Sequence, residues 1–67
     1  MDDVIDIPDS EKQAIKAGIL QALRQKYLRY KAEYLAQVAL NKTDEATKWQ
    51  KQMDDVVTSY NAVEAGL

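Results

Sequence analysis

From Ala46 to the end of the chain, apolar residues recur at Ala46, Trp49, Met53, Val56, Tyr60, Val63 and Leu67, with spacings that alternate between three and four. This is the a/d pattern of a helix that buries one narrow stripe against another helix. The intervening positions are largely Lys, Gln, Asp, Ser and Thr, so the rest of that helix is suited to water. A second seam with the same spacing runs through Leu20, Leu23, Tyr27, Tyr30 and Tyr34. The two seams do not share one register. Continuing the first leads to Gln37 and Asn41, and Ala46 lies outside that frame. The break falls at Asn41-Lys42-Thr43-Asp44-Glu45. There Asn suits a left-handed helix end, Thr43 suits the cap of a new helix, and two acids suit that helix's positive first turn.

Upstream, Ser10 followed by Gln13 has the form of a capping box, with Asp9 and Glu11 adding negative charge at the helix start. Pro8 pushes Ile7 toward extended backbone. The pattern therefore predicts an all-α fold, an antiparallel two-helix hairpin. Its first helix spans about 10–41 and its second about 44–65, and an extended acidic arm precedes them over residues 1–9. Residues 10–67 form a single domain in this reading. A turn near residue 42 or 43 sets opposite each other residues whose numbers sum to about 85. Tyr34 then lies near Trp49 and Met53, Tyr30 near Met53 and Val56, Tyr27 near Val56 and Tyr60, and Leu23 near Tyr60 and Val63. The five aromatic residues all fall in this seam, each with a large apolar body and a polar tip that must reach water or a partner.

Two helices leave apolar surface over. By the pairing above, residues 10–18 overhang the end of the second helix, exposing Ile15. At about 100° per residue, the apolar arc of the first helix runs from Ile15 and Ile19 through the seam to Leu28 and Leu35, wider than one partner helix fills. Arg24 and Lys31 interrupt it, with stems able to lie along apolar surface while their charges reach outward. Gly18 sits inside the helix, where glycine costs up to about 1 kcal/mol relative to alanine, and so marks a candidate for close packing or a bend. In the arm, Val4, Ile5 and Ile7 need cover, either from the chain's own first helix or from another subunit. Asp2, Asp3 and Asp6 of a neighbour's arm would match the positive edge of the first helix. These residues, Val4, Ile5, Ile7, Ile15, Gly18, Ile19, Arg24, Leu28, Lys31 and Leu35, are the candidates for protein interaction.

Length makes the uncovered surface matter. A chain of 67 residues buries only about 60% of its unfolded surface, so its core is marginal without outside help. Cysteine and histidine are both absent, which removes disulfides, soft or imidazole metal ligands, the thiol nucleophile and the commonest general base. The adjacent carboxylates Asp2-Asp3, Asp44-Glu45 and Asp54-Asp55 do not converge on one substrate, and Asp54 and Asp55 suit ion pairs with Lys51. No phosphate loop or calcium loop is present. The reading is a protein without enzymatic activity, cofactor, metal or small-molecule substrate. A net charge of −2 and a pI near 4.9 do not favour nucleic acid, which selects excess Lys and Arg. The stretch Arg24-Gln-Lys-Tyr-Leu-Arg-Tyr-Lys31 interleaves basic and aromatic residues as single-strand-binding surfaces do. Its charges nevertheless flank the tyrosines' face of the helix and do not share it. Asn41-Lys42-Thr43 also matches the N-glycosylation pattern, but helix capping accounts for the same residues. No segment has the features of a secretory signal or a membrane span. The expected location is the cytoplasm, or a particle assembled there.

In layout, the chain resembles the small helical-hairpin subunits of phage particles and secretion-type assemblies: tens of residues, an arm, no cofactor, and more apolar surface than a monomer hides. Its turn lacks the proline usual in secretion-needle subunits, and the likeness is one of layout alone. It implies a structural or interaction subunit whose partners are proteins, as a homo-oligomer or in a larger hetero-assembly. Two other functions fit the same strip: a small regulator or inhibitor of a single target that binds as a helix in a groove, and, third, a nucleic-acid accessory.

Overall fold

A computed structural model describes residues 6–67, of which 89% are helical, with no strand among them. Helix α1 spans Asp9–Ala39 and helix α2 spans Thr43–Gly66. They pack side by side as an antiparallel hairpin, the all-α fold expected from the two seams. Asp6, Ile7 and Pro8 precede α1 without regular structure and are exposed. Val4 and Ile5, with Asp2 and Asp3, lie outside the described residues.

The turn is built on Asn41. Its φ of 59° is the left-handed conformation that Asn tolerates better than most residues with a side chain. With Asn41 so placed, its N–H donates to Val38 O at 3.0 Å, and that of Lys42 donates to Gln37 O at 2.9 Å. This crossed pair is a Schellman motif, which satisfies carbonyls that the helix end would otherwise strand. The chain then enters α2, with Ala46 N–H donating to Lys42 O at 2.9 Å and Asp44 and Glu45 in the first turn.

Both helix starts lie one or two residues earlier than expected. Pro8, not Ser10, is the residue at the N-cap of α1, and Lys42, not Thr43, is at that of α2; neither start has a side-chain cap. Pro8 has extended backbone with its carbonyl free to accept Lys12 N–H at 3.0 Å, and this places Ser10 already inside the helix. The Ser10–Gln13 box is therefore not formed. Thr43 is likewise helical, and its carbonyl accepts the hydroxyl of Thr47 at 2.9 Å.

The seam is the core. Leu20, Ala46, Met53 and Val56 are buried, and Leu23, Tyr27, Tyr30, Tyr34, Trp49, Tyr60 and Val63 are half-buried. Ten seam residues from Leu20 to Tyr34 and from Trp49 to Val63 are thus partly or wholly covered. Leu67, expected to close the second seam, is exposed. On α1 the seam continues beyond Leu20 as Lys16 and Lys12, both half-buried, so no apolar side chain stands ready to meet Leu67.

The register departs from the expected sum of about 85 toward both ends of the seam. Tyr30, not Tyr34, stacks on Trp49, with ring centroids 5.5 Å apart at 42°. Lys16 reaches Glu64, whereas in the middle of the seam the expected neighbours hold: Leu23 and Tyr27 share a recess with Val56 and Tyr60, and Arg24 reaches Tyr60. Because α1 already ends at Ala39 and the turn is short, the contacts at these two places fall up to about one helical turn nearer the start of α1. The overhang shrinks accordingly. Lys16 Nζ donates to Glu64 O at 2.8 Å, so the residues around it are beside the end of α2, and the uncovered part of α1 is its first two turns. The hairpin measures 51 × 21 × 13 Å and is one helix thick, with two broad faces and, among the described residues, nothing behind either.

Candidate protein-interaction face

The geometry of the seam decides what each broad face carries. On both helices, the residue that follows a seam residue lies on one face, and the residue that precedes it lies on the other. In an antiparallel pair, like positions meet, so the followers of α1 and of α2 share one face. On α1 these are Arg24, Leu28, Lys31, Leu35 and Val38; on α2 they are Gln50, Asp54, Val57, Asn61 and Glu64.

This face is apolar along its middle. Leu28 is 65% exposed, Leu35 54%, Val38 47% and Val57 45%. Between the helices it opens into a recess of about 370 Å³ lined by Leu23, Arg24, Tyr27, Leu28, Val56, Val57 and Tyr60. Arg24 rims it and is exposed, its Nη1 donating to the Tyr60 hydroxyl at 3.3 Å. On α2, Asp54 accepts a bond from Gln50 Nε2 at 3.1 Å.

The opposite face is polar over most of its length. Lys26 Nζ lies 5.8 Å from the centre of the Tyr30 ring, within reach of a cation–π attraction. A shallower recess there is bordered by Tyr30, Glu45, Lys48, Trp49 and Gln52. Lys48–Glu45 and Lys51–Asp55 form exposed ion pairs at 3.4 and 3.7 Å, the second along the lines expected for Lys51. Ile15 and Ile19 occupy this face near the start of α1 and are exposed.

The interaction candidates are therefore divided. Arg24, Leu28, Lys31 and Leu35 come together on the apolar face. Ile15 and Ile19 lie on the other face, and Ile7 is exposed before α1. Gly18 is on the back of α1, away from the seam, and a Cβ added there would meet nothing within 4 Å. Within one hairpin, then, Gly18 makes no close approach. Val38 and Val57 complete the apolar face and were not singled out by sequence reasoning. The signal was present: Val57 follows the seam residue Val56 as Leu28 follows Tyr27. The four basic residues of the 24–31 stretch are also split, with Arg24 and Lys31 on the apolar face and Lys26 and Arg29 opposite.

Among the described residues, no group of three or more acidic, His or Cys side chains is placed to hold a metal ion, and no helix is long and apolar enough to cross a membrane. Comparison with protein-family models, with curated proteins and with solved structures yields no match.

Proposed function

We propose that this chain is a small structural subunit, without enzymatic activity, that docks by an apolar helix face into a larger protein assembly such as a virus particle or a secretion-type machine. The observation that carries this reading is the row Leu28, Leu35 and Val38 beside Val57, all at least 45% exposed on one face of a layer one helix thick. Burying apolar area is worth about 25 cal/mol per Å², and a hairpin whose interior is a single seam has little else to stabilise it. Contiguous exposed apolar surface flanked by polar residues is the usual mark of a protein contact.

The test is the size of the native complex. The tagged chain, with Leu28→Glu and Leu35→Glu as controls, is followed by size-exclusion chromatography of gently lysed source cells, with its copies per complex counted by quantitative mass spectrometry. Many copies in a large assembly, lost in both variants, is the expected result. A single copy bound to one target identifies a regulator instead, and a chain that elutes free or only with itself overturns the proposal.

A further inference from the structure

We propose that the apolar face is closed by a second copy of this chain, in a four-helix bundle with α1 of each copy against α2 of the other. The inference rests on reading this face as a docking surface and names the occupant. Its charges are what select a second copy. Arg24 and Lys31 lie on the α1 side, and Asp54 and Glu64 lie on the α2 side. Among the described residues the ion pairs are Lys48–Glu45 and Lys51–Asp55, so these four have no oppositely charged side chain within 4 Å. The face is positive along one helix, negative along the other and apolar between. Such a surface complements itself.

The same charges choose the symmetry. A two-fold axis across the helices would lay α1 on α1, bringing Arg24 and Lys31 of both copies into one interface and Asp54 and Glu64 into the other half. A two-fold axis along the helices lays α1 on α2 at equal height. Val56 and Tyr27 share the recess and Tyr60 meets Arg24, which places Asp54 level with the stretch between Leu28 and Lys31. Lys31 then faces Asp54 of the second copy twice in the dimer, and beside each pair Leu28 is set against Val57 of the second copy. The 51 × 21 Å outline of the face has room for the roughly 800 Å² per partner that a stable interface buries. Ile15 and Ile19 remain on the outer surface of the bundle, free for contact with the next unit of an assembly.

Light scattering on the purified 67-residue chain over a concentration series tests this, with helicity read on the same samples. The expected mass is twice 7.6 kDa. Lys31→Glu and Asp54→Lys, both at exposed positions, each place like charges together at two symmetric sites and should weaken the dimer about tenfold. The double variant K31E/D54K restores the pairing with its sense reversed and should recover most of the loss. A monomer at all concentrations means that the face belongs to a different protein, and it overturns the proposal. A dimer indifferent to the single reversals, or not recovered by the double one, overturns it as well. A dimer in vitro with no large complex in the source cell would sink the proposed function and leave this inference standing; the reverse pair of results would do the opposite.

Discussion

Asn41 shows how one side chain sets the geometry of a hairpin. Its φ of 59° costs most residues with a Cβ about 1–2 kcal/mol, and Asn less. Asn41→Ala should lower the stability by about 1 kcal/mol, and Asn41→Gly should be neutral or slightly stabilising. Urea midpoints of the three proteins, measured at one concentration, provide the check. A loss in Asn41→Gly as large as in Asn41→Ala would mean that the Asn side chain, not the backbone conformation, holds the turn. At this scale much was legible: Asn is among the few residues that end a helix this way. Ser10 and Thr43 were misleading for a related reason. A capping residue in sequence caps only if the chain turns there, and Pro8 and the turn at Asn41 each start the helix one or two residues sooner.

At the scale of the element, α1 is held by what its faces meet and not by its ends. Its 31 residues contain a single interior glycine that touches nothing. Gly18→Ala should therefore raise the stability of the hairpin by up to about 1 kcal/mol, the difference in helix propensity between the two residues. The thermal midpoint reports this directly. A lower midpoint would show that another backbone packs against Gly18 in the form of the protein being measured. Lys16 shows what periodicity alone missed. It lies in line with the seam and supplies a C-terminal carbonyl of α2, that of Glu64, with a donor and a favourable charge. The angular position was available from the spacing of 16 to 20. That α2 ends beside it was not, because this depends on where the turn closes.

For the whole molecule, thickness is the governing fact. A layer of two helices has a seam for a core and two faces, which among the described residues are left to water or to another protein. If a second copy covers one of them, folding and association are linked, because whatever binds only the folded chain stabilises it by mass action. The apparent free energy of unfolding should then rise by about 1.4 kcal/mol per mole of dimer, about 0.7 per chain, for each tenfold increase in chain concentration, visible as an upward drift of the thermal midpoint. A midpoint unchanged over a hundredfold range would show the hairpin to be stable alone.

The sequence by itself determined the two seams, the break between them and the residue that makes the turn, because helical periodicity fixes the direction of every side chain around its own axis. It also marked Leu28, Leu35, Arg24 and Lys31 as surplus to the seam. Only the tertiary structure decided the register, which sets Tyr30 and not Tyr34 on Trp49. That Val57 of one helix joins Leu28 of the other on a common face, with Ile15 and Ile19 on the opposite one, follows from their places beside the seam once the helices are paired antiparallel. Periodicity carries no information about how far one helix slides along its neighbour. That distance is settled by the length of the turn, and the turn is settled by hydrogen bonds between backbone groups that look alike in every residue.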